Sequence, residues 1–182
     1  MWQPWPAGRL PNGLNGNRQH KGMRMTKASR QSSSYEMVLI FRLSGEAFAI
    51  SVSRVHEILD PIPVTEVPNA TAFAPALVNV RGAIVPLIDI RQRLRMQPER
   101  PSNSTRLVVL ELPVAGIPTR LAIMTDAVEE VAETDISALE PIPDLGSRWP
   151  EQYVSGVIRH GSDLAIFLDT ENLFCPDPER AA

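Results

Sequence analysis

Three histidines, one cysteine and a scatter of acids are the side chains from which catalysis or metal binding would have to be built. His20 lies in a Gly- and Asn-rich N-terminal stretch, His56 stands beside Glu57, and His160 opens the run HGSD. No cysteine–histidine ligand spacing is present, and neither HExxH, a P-loop, GxGxxG nor GxSxG occurs. Glu129, Glu130 and Asp163 read as acids on solvated faces. Cys175 is the only cysteine, so it forms no intrachain disulfide and anchors no cysteine-based metal cage. That usage suits a reducing compartment. The chemistry within reach is recognition rather than bond making, with no catalytic residue, cofactor or metal ligand expected.

The composition points the same way. The chain has 182 residues, 43% hydrophobic and 21% charged, ordinary values for a globular protein with room for a sizeable core. Proline is not ordinary, at 17 residues against an expectation of roughly 5%. Prolines spread along the chain leave little room for long helices and favour short strands joined by turns. Residues 1–35 carry six basic residues and no acid. Residues 36–182 carry twelve basic and twenty-one acidic residues, a net charge of −9. An acidic folded part argues against nucleic acid as its ligand. No apolar run approaches the roughly 18 residues of a membrane-spanning helix, and the N-terminus lacks a signal-peptide apolar stretch.

The elements that must position a binding surface follow from the pattern. Residues 1–34 are rich in Gly, Pro, Asn, Ser and Gln, show no periodicity, and read as a disordered basic tail. The folded part is expected over 35–176, with a short C-terminal tail at 177–182. MVLIFRL (37–43) and AFAI (47–50) flank the turn SGE, a hairpin with Phe48 and Ile50 on one face. The alternation changes phase at Val55 and Ile58, which calls for a bulge or a short helical turn. Residues 60–76, with four prolines, read as loop with one helical turn. LVNV, the turn RGA and IVPLI form a second hairpin, in which Gly82 supplies the positive φ of a tight turn. Pro86 cannot donate to a ladder and is expected on an edge or at a bulge. Asp89 is the expected N-cap of a short helix at 90–94, and Asp169 that of the segment TENLF. In the second half, TRLVVLEL and RLAIM flank a turn at 113–119, and GVIR and LAIFL flank HGSD at 160–163.

The halves repeat one another. AISVSRVHEI (49–58) aligns with AIMTDAVEEV (122–131), so that Val55, Glu57 and Ile58 meet Val128, Glu130 and Val131. IVPLIDI aligns with LAIFLDT, so that Asp89 meets Asp169. The extra residues of the second copy fall around AETDISA (132–138), where Thr134 is positioned to cap one helical turn. Two copies of a five-strand pattern imply two small barrels, and at about 70 residues each they are too small to stand alone without sharing a core.

With the repeat and VNVRGAIVPLIDIRQRL in hand, the chain resembles the CheW family of chemotaxis coupling proteins. The resemblance spans about 36–175 and rests on FRLSGEAFAISVSRVHEIL, on PVTEVPNATAFAPALVNVRGAIVPLIDIR and on EQYVSGVIRHGSDLAIFLDTENLF. The middle motif is specific: N-x-R-G, then I-V-P, then D-x-R. The resemblance implies a mainly β fold of two intertwined five-stranded SH3-like β-barrels with a few short helices, roughly 36–95 and 105–175, exchanging strands. It implies a non-enzymatic adaptor, cytoplasmic and recruited to membrane receptor arrays, touching the membrane only through receptors. Its partners would be the cytoplasmic signalling tip of methyl-accepting chemoreceptors and the regulatory domain of a CheA-type histidine kinase. The same module serving a pilus-motility or other chemosensory-like pathway is the alternative.

Residue roles follow from the same resemblance. Arg81 and Glu57 match positions tied to receptor and kinase coupling and are expected to pair. Val55 matches an apolar contact position at the receptor groove. Ala76 replaces the family's usual glycine, and a requirement for positive φ there would make alanine cost about 1 kcal/mol. Asn79 and Gly82 are expected to build the hairpin. Tyr153 and Gly156 match the family's Y-x-x-G, a packing and turn element.

Overall fold

The computed structural model describes residues 34–142, 148–161 and 163–175. The tail up to residue 33, with His20, and the C-terminal tail at 177–182 lie outside the described residues, as does Ser162 of the turn at 160–163. The first half runs β1 (Tyr35–Leu43), β2 (Glu46–Ser51), a 3₁₀ turn (Val52–Arg54), β3 (Val55–Leu59), β4 (Val64–Glu66), β5 (Ala76–Val80), β6 (Ala83–Ile88) and α1 (Arg91–Leu94). The second runs β7 (Arg106–Val114), β8 (Ile117–Thr125), β9 (Ala127–Asp135), β10 (Val154–His160), β11 (Asp163–Leu168) and α2 (Thr170–Phe174). The 3₁₀ turn at Val52–Arg54 accounts for the phase change between β2 and β3.

Three hairpins close on an X-Gly pair with positive φ at both positions: Ser44-Gly45, Arg81-Gly82 and Ala115-Gly116. These are the two-residue turns whose twist matches the strands they join. They also correct two expectations about proline. The loop expected over 113–119 is only the Ala115-Gly116 turn, and Pro113 faces Pro118 across the ladder. Pairing alternates away from a two-residue turn, so this second pair is one whose backbone nitrogens point away from each other. Pro86 obeys the same rule: it faces Leu77, a position of that non-bonded set. Its strand is not an edge strand, since β6 lies between β5 and β8. The β8 ladder, however, engages only Leu87 and Ile88, so the nitrogen of Pro86 points where no acceptor is needed.

The strand order joins the halves. One sheet is β10-β11-β2-β1-β9 and the other β3-β7-β8-β6-β5-β4; they are called barrel one and barrel two below. The β1–β2 hairpin therefore lies among strands of the second half, and the β7–β8 hairpin among strands of the first. The exchange is reciprocal: β1 pairs with β9 as β7 pairs with β3, and β2 runs parallel to β11 as β8 does to β6.

Burial explains why both hairpins are almost wholly apolar. Alternate residues of β1 and β2 serve two cores. Leu39, Phe41, Leu43, Phe48 and Ile50 enter a large cluster shared by both barrels, whereas Val38, Ile40, Ala47 and Ala49 fill barrel one. Phe48 and Ile50 thus do lie on one face, but the opposite face is buried too. β7 divides in the same way, with Val108, Leu110 and Leu112 in the shared cluster and Leu107 and Val109 inside barrel two. Strands covered on both faces read as continuous apolar runs.

The short helices seal the shared cluster. Asp169 caps α2, its carboxylate accepting the Asn172 N–H at 3.0 Å. Asp89 falls one residue short of the equivalent role. Ile90 occupies the N-cap position of α1, and the Asp89 carboxylate accepts the Arg91 N–H two residues on. The cap in the 132–138 insertion is likewise Asp135 rather than Thr134, accepting the Ser137 N–H. Residues 60–76 hold single turns closed by Ala70 N–H to the Val67 carbonyl and Ala74 N–H to the Thr71 carbonyl, and add the three-residue strand β4.

Asp126, just before β9, ties the second half to two points of the first. It receives the Arg91 guanidinium and the Ser44 backbone N–H, the latter at 2.6 Å. Arg91 is almost fully buried, so Asp126→Ala would leave the cation with the Met124 carbonyl at 3.4 Å and, as its nearest described carboxylate, Asp89 at 3.8 Å. The expected loss is about 3 kcal/mol of unfolding free energy, measured by denaturant titration.

Gly156 sits at a register shift in β10. A Cβ there would lie 2.9 Å from Leu139 Cβ and 3.0 Å from the Glu140 carbonyl oxygen. That approach lets Glu140 and Val157 exchange backbone hydrogen bonds. Gly156→Ala should cost about 2 kcal/mol by the same assay, because backbone must move to admit the methyl group.

Candidate docking surface

The tip of the β5–β6 hairpin projects Arg81 into solvent, its side chain 79% exposed. Asn79 fixes the tip by accepting the Gly82 N–H on its side-chain oxygen at 2.8 Å. Arg81 Nε donates to Glu57 Oε2 at 2.9 Å, and Glu57, on β3, is only 15% exposed. The strand order puts β3 and β5 far apart along the sheet, so this pair marks where barrel two curls back on itself. One partner is anchored and the other is presented. An ion pair of this kind adds about 0–1 kcal/mol to the fold. What it fixes is the direction of the guanidinium.

Around the tip lie groups that spacing alone does not bring together. Arg120 on β8 pairs with Glu111 on β7 at 2.9 Å. The guanidinium holds the Glu111 carboxyl below the usual carboxylate range, first through that hydrogen bond and then through its charge. His56 stands 3.9 Å from both Glu57 and Glu111. A shallow hollow is lined by Ala83, Ile84, Val85, Glu111, Pro118 and Arg120. Ile84 is 65% exposed, and so is Ile117 at 67%. An exposed apolar side chain, Ile84, in a hollow it shares with the paired charges of Glu111 and Arg120 has the make-up of a recognition surface.

Val55 opens β3 as a half-buried side chain at the rim of the shared cluster, and Val128, the second residue of β9, packs there too. It therefore lies at the seam between the barrels. Ala76 is buried, 4% exposed, and packs into barrel two. It is not among the residues with positive φ, so the cost anticipated for alanine does not arise. It lines a cleft with Leu87, Met124, Val64, Val67 and Pro75. Tyr153 ends a 3₁₀ turn and lies 5.6 Å from the Arg93 guanidinium, which also stacks 4.0 Å over Phe73.

Barrel one carries a charged cluster of its own, drawn from residues that read as isolated in sequence. Arg42 Nε meets Glu129 at 2.6 Å and its Nη2 meets Asp163 at 3.2 Å. These contacts, Glu129 foremost, hold the Arg42 guanidinium above its usual range, so it remains a cation. His160 packs beside them against Glu129 and Glu130. The repeat alignment carried the signal, since Glu130 is the counterpart of Glu57.

A family model for the CheW-like domain matches residues 37–175. The chain belongs to the CheW-like domain family. Among its curated relatives, the chemotaxis protein CheW of Rhizobium meliloti is 28% identical over 160 residues, covering 87% of this chain and 99% of that protein. The chemotaxis protein CheW of Klebsiella aerogenes is 29% identical over 135 residues, covering 74% and 79%. The crystal structure of the scaffolding protein TtCheW from Thermoanaerobacter tengcongensis superposes with a TM-score of 0.68 at 23% identity, over 90% of this chain and 96% of that one. The two intertwined barrels are thus the CheW-like fold, and in this chain residues 79–82 form the β5–β6 tip. Among the described residues, no helix is long and apolar enough to cross a membrane.

Proposed function

We propose that this chain is a non-enzymatic adaptor joining the cytoplasmic tip of methyl-accepting chemoreceptors to the regulatory domain of a CheA-type histidine kinase. The observation that carries the reading is the Arg81–Glu57 pair at 2.9 Å, which holds an exposed guanidinium in fixed orientation at the tip of the hairpin that carries the exposed Ile84. Apolar anchors give a docking site its affinity, and the oriented charge sets which partner is accepted. On this reading the kinase regulatory domain takes this end of barrel two. An amphipathic receptor helix would lay its apolar face against the side chains at the rim of the shared cluster marked by Val55. Membrane contact would then be indirect, through receptors. The net charge of −9 over 36–182 disfavours nucleic acid as a competing partner.

Calorimetric titration tests this reading with the regulatory domain of a CheA-type kinase and a receptor signalling fragment from the same cell. Each is expected to bind alone in a saturable 1:1 fashion, and neither to displace the other. Mutual exclusion of the two would contradict a bridge, as would binding of neither.

A further inference from the structure

Among the described residues the buried charged side chains are Arg91 and Arg93, both on α1. Arg91 meets Asp126, whereas Arg93 turns toward α2. Its Nη1 donates to the carbonyl oxygens of Asn172, at 3.3 Å, and of Leu173, near the C-terminal end of that helix. Its guanidinium lies 4.0 Å over the Phe73 ring and 5.6 Å from the Tyr153 ring. Cations are favoured both at a helix C-terminus and over an aromatic face.

The repeat makes these aromatic partners equivalent. The step that carries Asp89 onto Asp169 also carries Phe73 onto Tyr153 and Arg93 onto Leu173. The backbone agrees: the Phe73 carbonyl accepts the Asp89 N–H at 2.9 Å, and the Tyr153 carbonyl accepts the Asp169 N–H at 3.0 Å. Arg93 therefore meets the same point of both halves at once. Its own counterpart, Leu173, is wholly buried in the shared cluster. A second leucine would serve for packing at 93. A buried cation is costly to desolvate, and apolar side chains often replace such charges without loss of stability. What a guanidinium adds is a rigid set of donors, and with it direction.

Direction is what the contact between the barrels otherwise lacks. Among the described residues no ladder joins a strand of barrel one to a strand of barrel two. Beyond the chain connections, the barrels meet through the shared apolar cluster. Apolar packing is non-directional, and packed elements shear over one another by small slides. The Arg54–Glu171 pair is exposed and adds little. Asp126 holds Arg91 from the connection between β8 and β9. Arg93 reaches further, from the helix after β6 of barrel two to the helix after β11 of barrel one.

We propose that Arg93 is the joint that sets the angle between the two barrels. It is a positioning residue and touches no partner. Its consequence for signalling rests on the adaptor reading above: the receptor at the Val55 rim and the kinase at the β5–β6 tip keep a fixed relation only while Arg93 holds α2.

Amide residual dipolar couplings of the full chain test the joint without any partner. In wild type, barrels one and two should fit a single alignment tensor. In Arg93→Leu, which restores the repeat, each barrel should keep its own internal fit, but the two should need different tensors. Loss of stability alone would lower the melting temperature and leave one tensor. Arg93→Lys keeps the cation and loses the planar stack, so it should also need two tensors, and it decides the matter if Arg93→Leu does not fold. A folded variant that fits one tensor overturns the proposal, as does a wild type that needs two. With partners, Arg93→Leu should bind receptor fragment and kinase regulatory domain as tightly as wild type, while the receptor-dependent change in kinase activity falls by roughly fivefold, the low end of ordinary coupling between sites. An undiminished response rejects the part played in signalling. Failure of wild type to bind either partner would instead reject the adaptor reading, and the tensor comparison would still decide the joint.

Discussion

Expressed separately, residues 36–95 and 105–175 are expected to stay unfolded, and to fold when mixed in equal amounts. Every pairing that joins one hairpin unit to another in barrel one crosses between the halves: β1 with β9 and β2 with β11. In barrel two, β3 with β7 and β6 with β8 cross in the same way. A lone half keeps only its local hairpins, and isolated hairpins are marginal in water. It also loses half of the shared cluster, in which Leu39, Phe41 and Phe48 pack with Val108, Leu110 and Ile123. Circular dichroism and amide dispersion would report no cooperative transition for either fragment and a native-like one for the mixture. A half that folds alone with a cooperative melt would mean that each repeat closes its own barrel. The same long-range pairing predicts slow folding for a chain of this size.

Replacing Arg81 by glutamate should leave the fold intact and weaken kinase binding by roughly tenfold to hundredfold, the scale of a lost, oriented interfacial charge. The substitution sets a second carboxylate beside Glu57 and reverses the charge presented at the tip. Because Arg81 is exposed and its pair with Glu57 adds little to stability, the melting temperature should move by no more than a few degrees. The double variant Arg81→Glu, Glu57→Arg restores the pair but not the presented charge. It should recover the geometry of the tip and still bind poorly. Wild-type affinity in the single variant would remove Arg81 from the interface while leaving the rest of the surface in question.

Much of this architecture was legible before any coordinates. The X-Gly turns, the apolar runs of β1 and β7 and the repeat between the halves all leave local marks. So does the tip built by Asn79 and Gly82, because a two-residue turn needs positive φ and a side-chain acceptor reinforces it. What stayed hidden depends on distant partners. The pattern that sets Phe48 and Ile50 on one face says nothing of Ala47 and Ala49 on the other, because nothing local announces that β11 and β10 complete barrel one over them. Pro113 and Pro118 read as loop because proline lowers strand propensity, yet at non-bonded positions beside a two-residue turn it removes no ladder bond. Asp89 lies one residue too early to cap α1, a distinction finer than sequence pattern resolves. Glu129, Glu130 and Asp163 read as solvated acids because Arg42, which gathers two of them, is some 90 residues from the first.

The central claim is that one small β-rich chain holds two partners at once. Co-sedimentation measures this directly, with a chemoreceptor signalling fragment assembled on vesicles and a CheA-type kinase in solution. The kinase should pellet with the receptor only when this chain is added, in proportion to it. A kinase that stays in the supernatant at saturating chain, with each pair drawn from the same cell, would contradict the account.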